Sequence, residues 1–294
     1  MKIGIYGQFY HTNAGEYIGQ LLELLDNENV KVIIEEKFFE LIKLNKTVPD
    51  SRSFYETFTF LDRSYDLFFC IGGDGTILKS INYVRDLGIP IIGINTGRLG
   101  FLATIQKEEI ESTIHSILNR KFSISSRSVL KTACYPDPED DIFENVALNE
   151  IAVSRKNTTS MITVDTWLND QYLTSYWADG LIISTPTGST GYSLSCGGPV
   201  ITPDTDSIVI TPIAPHNLNA RPLVIKDSTK ITLRVSGRED THLLSMDSRI
   251  ASLKNDTKIT ITKAPFTVNI VELNEQSFLH TLRQKLLWGE DKRN

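Results

Sequence analysis

The chain has 294 residues, which is about the length of two ordinary domains. Hydrophobic residues make up 40% of the chain and charged residues 22%, a balance that excludes an intrinsically disordered or fibrous protein. The formal net charge of -6 argues against a nucleic-acid-binding protein, since such proteins normally carry a basic excess.

The compartment is predicted from what the sequence lacks. Residues 1–7 do not contain the apolar stretch of a signal peptide, and no run approaches the roughly 18–20 apolar residues of a membrane span. The three cysteines, Cys70, Cys134 and Cys196, are far apart and form no CxxC pair, so we expect no zinc site and no metal held by a direct protein cluster. We therefore expect a cytoplasmic protein that binds neither membrane nor nucleic acid.

The first 120 residues alternate short apolar runs with helical patterns. The predicted strands are 3–6, 30–34, 67–71 and 89–94, and the predicted helices are 18–25, 76–86 and 108–119. Residues 43–60 are polar and interrupted by Pro49, which predicts a loop. Alternating strands and helices are typical of an α/β domain with a parallel sheet.

The sequence changes near Phe122 to short segments rich in Thr, Ser, Val and Ile. Period-two alternation predicts strands at 230–235 and 258–262, and Asn169-Asp170 predicts the tip of a hairpin. An apolar stripe at 278–286 predicts a last helix that packs back on the first domain. We therefore predict an α/β domain from 1–122 plus 274–294, and a mainly β domain from 123–273.

A glycine-rich turn, Gly72-Gly73-Asp74-Gly75-Thr76, follows the buried strand at 67–71 and begins a helix. Ligands of open α/β sheets bind at such strand ends, where glycines let backbone N–H groups approach a phosphate. A carboxylate in a phosphate site needs a reason: Asp74 could hold Mg²⁺, or accept a proton from an attacking hydroxyl. It could also be no more than a helix cap.

Two further segments carry polar groups that point to a ligand. Residues 179–199 are dense in hydroxyls and glycines, which suits ribose and pyrophosphate, and Tyr192 offers a flat face for an adenine ring. The alternative is a polar surface loop. Asn149-Glu150 interrupts an apolar strand and could bind ligand hydroxyls, or could lie in water at a strand edge.

These motifs resemble those of the bacterial NAD kinases (ATP-NAD kinases), and the resemblance keeps their order along nearly the whole chain. The matching segments are 72–76, 93–102, Asn149-Glu150, 179–199, 212–216 and Arg221-Pro222. The turn at 72–76 alone is weakly discriminating, because lipid kinases and phosphofructokinases also carry it. The long segment at 179–199 is highly specific.

The resemblance implies ATP-dependent phosphorylation of the 2′-hydroxyl of the adenosine ribose of NAD, which gives NADP. It also implies a phosphofructokinase-like α/β domain, a β domain, a dinucleotide held between them, Mg²⁺ brought by ATP, and a homodimer or homotetramer. Two alternatives remain open at this point: a lipid (diacylglycerol-type) kinase sharing the turn, and a dinucleotide-binding regulator without catalysis.

Site residues follow from the resemblance, position by position. Asp74 matches the essential aspartate of the turn and the expected base toward the 2′-hydroxyl. The expected NAD-binding residues are Asp74, Gly75, Asn149, Glu150, Asp179, Thr187, Thr190, Tyr192, Ser195, Ala214 and Asp247. The expected ATP phosphate-binding residues are Gly72, Gly73, Gly75, Thr76, Asn95 and Arg98. Two positions depart from the family: Trp177 replaces a basic or small polar residue, and Gly191 replaces the commoner Ala.

Overall fold

The computed structural model describes residues 1–8, 14–45, 55–136, 145–157, 160–273 and 277–288. The chain divides into two compact units, which are formed by Met1–Ser126 with Val268–Asn294 and by Arg127–Thr267. No helix among these described residues is long and apolar enough to span a bilayer.

The first unit alternates strands and helices along the chain. Its elements are β1 (Lys2–Gly7), α1 (Ala14–Asn27), β2 (Lys31–Glu35), α2 (Glu36–Leu44), β3 (Glu56–Phe58), β4 (Leu67–Ile71), α3 (Asp74–Val84), β5 (Ile91–Asn95), β6 (Ile105–Gln106) and α4 (Ile110–Leu118). All strand pairs among these elements are parallel, in the order β5-β4-β1-β2-β3, with β6 beside β5. The α/β domain with a parallel sheet is confirmed.

The core of the first unit explains why the strands are apolar throughout. All five residues of β4 and all five of β5 are buried, because helices cover a parallel sheet on both faces. The buried leucines of α1, Leu21, Leu22 and Leu25, pack in the same core as Ile5 and Phe69. The strand order reverses between β1 and β4, and the carboxyl ends of strands at such a switch point are where open α/β sheets bind ligands.

The prediction of a loop over 43–60 is wrong at both ends. Helix α2 extends to Leu44, with the Glu35 carboxylate accepting a hydrogen bond from the backbone N–H of Phe38 at its start. Strand β3 pairs with β2 and is only three residues long, which is too short for the alternation of apolar and polar residues to be recognised in a polar segment. Residues 46–54 lie outside the described part of the chain.

The second unit is mainly β, as predicted, and its strands pair in antiparallel fashion. The chain enters it along β7 (Phe122–Tyr135), and the strands that follow are β8 (Val146–Ala147), β9 (Glu150–Ser154), β10 (Ile162–Leu168), β11 (Gln171–Ala178), β12 (Gly180–Ser184), β13 (Ser207–Ile213), β14 (Leu223–Lys226), β15 (Ile231–Ser236), β16 (Thr241–Met246), β17 (Arg249–Lys254) and β18 (Lys258–Leu273). A short helix, α5 (Tyr192–Ser195), follows β12.

Two sheets of the second unit share one core. One sheet has the order β14-β13-β12-β9-β16-β17, and the other path runs β11-β10-β15-β18. Val164 and Leu233 from the second path are fully buried in the same cluster as Val153 and Leu181 from the first. The hairpin predicted at Asn169-Asp170 is confirmed, since both residues have positive φ (48° and 66°), as a two-residue hairpin turn requires.

The last helix, α6 (Phe278–Leu286), belongs to the first unit. Ser277 caps it by accepting a hydrogen bond from the backbone N–H of His280. The Lys285 ammonium donates to the carbonyl of Leu99 at 2.6 Å, and the rings of Phe278 and Phe101 lie 6.4 Å apart. The prediction that this helix packs on the first domain is therefore confirmed.

Candidate active site

The glycine-rich turn of the first unit places Asp74 at the carboxyl end of β4. Strand β4 ends at Ile71, and Asp74 is the first residue of α3. A carboxylate at this position is stabilised by the positive end of the helix dipole. The turn needs glycine at position 72, whose φ is 152° and whose Cβ would stand 2.2 Å from the Thr76 hydroxyl.

The Asp74 carboxylate accepts hydrogen bonds from three successive backbone N–H groups of the loop after β5. Oδ2 accepts from Phe101 at 2.8 Å, and Oδ1 accepts from Leu102 at 3.0 Å and Ala103 at 2.9 Å. Each carboxylate oxygen has about two acceptor positions. Oδ1 uses both of its positions, whereas Oδ2 retains one that a hydroxyl group can use. The N-cap of α3 is Gly73, so Asp74 is not a helix cap, and its carboxylate instead holds a second loop in place.

The glycines on either side of Asp74 leave the backbone open. Among the described residues, a Cβ at Gly73 or at Gly75 would meet no atom within 4 Å beyond its own chain neighbours, so packing there does not explain why glycine stands at these positions. The N–H groups of a first helical turn also have no partner within the helix. An uncovered backbone at a helix N-terminus is suited to an approaching phosphate group.

Asn95, at the end of β5, has a structural role in the loop that contains Arg98. The Asn95 side chain is only 2% exposed, and its amide donates to the carbonyls of Arg98 at 2.5 Å and Ala103 at 3.2 Å. Its side-chain oxygen accepts from the Gly97 N–H at 2.7 Å. These hydrogen bonds use the Asn95 amide to hold the loop in its conformation. Arg98, which lies in the same loop, is exposed.

In the second unit, the turn containing Asn149 and Glu150 lies between β8 and β9. Asp247, at the tip of the β16–β17 hairpin, accepts hydrogen bonds from the backbone N–H groups of this turn. The Asn149 Oδ1 and Glu150 Oε2 atoms are buried without a hydrogen-bond partner in the described chain. Burial, followed by the Asp247 charge, raises the pKa of Glu150 from 4.5 to about 7.

Residues 179–199 do not form the continuous loop that the sequence suggested. Residues 180–184 are the fully buried strand β12, followed by a 3₁₀ turn, Thr187–Thr190, and by α5. Several hydroxyls serve the fold: Ser189 donates to the carbonyl of Pro186, and Ser193 hydrogen-bonds Thr211. The hydroxyl density of the segment therefore overstates the number of groups that a ligand can reach.

The predicted binding residues within this segment differ in exposure. Thr187 is buried, whereas Tyr192 and Ser195 are exposed on α5. The Thr190 hydroxyl donates to the carbonyl of Thr187 at 3.1 Å. Of these four, Tyr192 is the one placed beside the Asn149–Glu150 turn, because its backbone N–H donates to the Glu150 carboxylate.

Asp179, between β11 and β12, forms a two-point ion pair with Arg155. The distances are 3.0 Å from Nε to Oδ1 and 3.2 Å from Nη2 to Oδ2. Nearby, Trp177 is 50% exposed, and its ring lies 4.3 Å from that of His216. Ala214 is exposed and has a φ of 43°. Arg155 was missed by the sequence analysis, because nothing in its neighbourhood distinguishes it from a surface arginine.

The structure thus gathers the predicted residues into two groups, one in each unit. The first contains Asp74, its glycines, Asn95 and the loop at 97–103, and the second contains Asn149, Glu150, Tyr192 and Asp247. Gly100 was quoted only as part of a motif, yet a Cβ there would stand 1.9 Å from Oδ1 of Asp74. Across the described ranges, no group of three or more His, Cys, Asp or Glu residues could hold a metal ion.

Two family models match the chain. The ATP-NAD kinase N-terminal domain matches residues 3–122, and the ATP-NAD kinase C-terminal domain matches residues 148–273. The NAD kinase of Christiangramia forsetii is 73% identical over 294 residues, and that of Flavobacterium psychrophilum is 55% identical over 294 residues. Each of these alignments covers 100% of both chains.

Solved structures show the same fold. Yeast NADH kinase complexed with NADH has a TM-score of 0.86 at 24% identity, over 100% of this chain and 89% of that one. An NAD kinase from Archaeoglobus fulgidus in complex with ATP has a TM-score of 0.75 at 25% identity, over 98% and 99% of the two chains. The chain therefore belongs to the NAD kinase family of enzymes, which phosphorylate NAD at the expense of ATP.

Proposed function

We propose that the chain transfers the γ-phosphoryl group of ATP to the 2′-hydroxyl of the adenosine ribose of NAD, with Asp74 as the residue that receives the hydroxyl proton. The observation that carries this assignment is the Asp74 carboxylate, which is held by three N–H groups and keeps one acceptor position on Oδ2. In the reaction the ribose oxygen bonds to the γ-phosphorus, the bond from that phosphorus to the β–γ bridging oxygen breaks, and ADP leaves.

The rigid mounting of Asp74 supplies the positioning that phosphoryl transfer needs. Little covalent work is required of the protein in this reaction, so most of the rate comes from orientation and from stabilisation of charge. A carboxylate on a flexible loop would populate many unproductive orientations, whereas three hydrogen bonds fix both oxygens of Asp74. A hydroxyl that donates to Oδ2 is then oriented with its oxygen lone pairs toward the phosphorus.

The donor phosphates are assigned to the glycine turn. Open backbone at Gly73 and Gly75, the helix N-terminus at Asp74, and the exposed Arg98 support this assignment, to which Thr76 is a further predicted contact. Magnesium would enter as part of the MgATP substrate, where it would neutralise phosphate charge.

The dinucleotide is assigned to the second unit. The unpartnered oxygens of Asn149 and Glu150 support contacts with ligand hydroxyl or amine groups, and the exposed ring of Tyr192 supports stacking. Thr187, Thr190, Ser195, Asp179 and Ala214 are further predicted contacts. From the family resemblance we expect self-association as a homodimer or homotetramer, which light scattering would measure. We place the activity in the cytoplasm, where ATP and NAD are both present.

The deciding experiment compares Asp74→Asn with the wild-type chain in a coupled assay for NADP. We expect kcat to fall by about 10²–10⁴ while the Kd for NAD changes by only a few-fold, because the variant loses the proton acceptor but not the second unit. Asp86→Asn, at an exposed ion pair of the same unit, is the matched control. Near-normal turnover in Asp74→Asn would remove Asp74 from the chemistry.

No observation favours the two alternatives. A lipid kinase would phosphorylate diacylglycerol and not NAD in a parallel assay, and an idle regulator would bind NAD without consuming ATP. Both would leave the coupled assay without NADP, so the same experiment tests them.

A further inference from the structure

Asp247 is connected to the Asn149–Glu150 turn entirely through the backbone. Its Oδ2 accepts from the Leu148 N–H at 2.9 Å, and its Oδ1 accepts from Asn149 at 2.9 Å and from Glu150 at 3.1 Å. The Asp247 N–H donates in return to the carbonyl of Glu150 at 3.0 Å. All three donors on the turn are therefore held by one side chain that is separated from them by about a hundred residues of sequence.

The carbonyl side of the same turn is fixed from the opposite direction. Thr185 donates its N–H to the carbonyl of Asn149 at 2.9 Å and its hydroxyl to the carbonyl of Leu148 at 2.6 Å. Gly188 packs so closely that a Cβ there would stand 2.2 Å from the Asn149 carbonyl oxygen. With both sides of the backbone held, only the side chains of Asn149 and Glu150 remain for other partners.

Those two side chains converge on one point. An atom at the Cβ position of Gly191 would lie 3.2 Å from Glu150 Oε2 and 3.4 Å from the Asn149 amide nitrogen. Asn149 Oδ1 and Glu150 Oε2 are both buried and unpartnered within the described chain. Buried polar atoms without partners are costly, so these two oxygens on neighbouring residues fit a ligand that completes their hydrogen bonds.

The charges around Glu150 favour its protonated form. Burial and the Asp247 carboxylate raise its pKa to about 7, against the opposing effect of the Tyr192 N–H. The other groups that face this pair are Cys196 and the Tyr192 phenol beside Glu150, and Arg249 beside Asp247. Burial raises the pKa values of that thiol and that phenol, so both stay neutral near pH 7. Burial also raises the pKa of Asp247, against the opposing effects of its three backbone hydrogen bonds and of the Arg249 charge.

From this arrangement we infer that Asp247 is a positioning residue for the dinucleotide: it touches no substrate, fixes the turn that presents Asn149 as an acceptor, and places its charge beside Glu150 so that this carboxyl acts as a donor. This inference rests on the proposed assignment of the dinucleotide to the second unit. It replaces direct NAD contact, the role that the family resemblance suggested for Asp247, with one exerted through the backbone and through charge.

The test measures NAD binding by calorimetry between pH 6 and 8, without ATP. In the wild-type chain the affinity should fall as pH rises through about 7, because Glu150 loses its proton. Glu150→Gln keeps an N–H donor that cannot titrate, so its affinity should stay constant and exceed that of the wild type at pH 8.

Asp247→Asn should weaken NAD binding about tenfold, because Asn offers one oxygen and turns an NH₂ group toward N–H donors. Its KM for NAD should rise while kcat at saturating NAD stays within about threefold, and the midpoint of the pH profile should move to lower pH. Asp256→Asn is the matched control, since Asp256 also lies in a turn after β17 with positive φ but is exposed.

Two results would overturn the inference. One is a folded Asp247→Asn variant with unchanged affinity and an unchanged pH midpoint. The other result requires no Asp247 variant. It is a wild-type NAD affinity that stays constant between pH 6 and 8, or that changes with pH in the same way as the affinity of Glu150→Gln. A chain that forms NADP but gives either result refutes only this inference, whereas a chain that forms no NADP refutes the proposed function.

Discussion

Replacing Gly100 with Ala tests how Asp74 is held. The new Cβ would stand 1.9 Å from Oδ1 of Asp74 and 2.6 Å from its Cγ. The carboxylate cannot swing aside without cost, because both oxygens accept hydrogen bonds from the backbone of Phe101, Leu102 and Ala103. Either the loop or the carboxylate must therefore move.

The size of the effect follows from the bonds at risk. A hydrogen bond to a charged acceptor contributes roughly 1.5–3 kcal/mol, and overpacking costs roughly 1–3 kcal/mol. Loss of one such bond with residual overlap gives about 3 kcal/mol of destabilisation, which corresponds to a fall in Tm of about 6–12 °C for a domain of this size. Misplacement of Asp74 by about 1 Å should also lower kcat by about 10²-fold.

The control lies three residues away in the same loop. A Cβ at Gly97 would have no neighbour closer than the Asn95 Oδ1 atom at 3.8 Å, so Gly97→Ala should change stability by less than about 0.5 kcal/mol. Urea denaturation and the coupled NADP assay on both variants provide the comparison. If Gly100→Ala matches Gly97→Ala in stability and in turnover, the loop does not hold Asp74 in the way described.

Two further variants test the neutral carboxyl of Glu150 and the open glycine backbone. Folding raises the pKa of Glu150 from 4.5 to about 7, so the wild-type unfolding free energy should fall by about 3 kcal/mol as pH rises across that interval. Glu150→Gln should lack this fall. If the unfolding free energies of the two chains change in parallel with pH, the expectation is contradicted. Gly75→Ala should leave the unfolding free energy unchanged or up to about 1 kcal/mol higher, since its Cβ meets no atom of the described residues within 4 Å. The KM for ATP should rise, because the new methyl group stands on the phosphate side of the turn. An unchanged KM would place the phosphates elsewhere.

The sequence predicted elements whose own residues carry the signal. Strand β4 is five apolar residues buried on both faces, and the Asn169-Asp170 turn has the residue types that its positive φ values require. Strand β3 was missed because its three residues, Glu56–Phe58, have no detectable period and depend on pairing with β2. The pairing of this segment with β2, and not its local sequence pattern, therefore makes it a strand.

The candidate site was less predictable from local pattern, because its geometry depends on distant contacts. Asp74 reaches amides 27 to 29 residues away, and Asp247 reaches amides 97 to 99 residues away. No periodicity or spacing encodes such contacts. The family resemblance supplied the residue names and a direct NAD contact for Asp247, for which we infer a positioning role, and it gave no role to Gly100 or Arg155.

Asp74 and Asp247 are held by the same pattern of backbone hydrogen bonds but have different roles. Three successive backbone N–H groups converge like a small anion-binding nest, and in each unit a carboxylate fills that nest. Asp74 stands at a helix N-terminus beside uncovered glycines, and its Oδ2 keeps an acceptor position, so the carboxylate itself can take part in chemistry. Asp247 is buried behind the turn that it holds, so only the neighbouring side chains of that turn can meet a ligand. Loss of the first carboxylate should therefore appear mainly in kcat and loss of the second mainly in KM, although the hydrogen-bond patterns are nearly identical, because accessibility decides which carboxylate reacts and which one only positions.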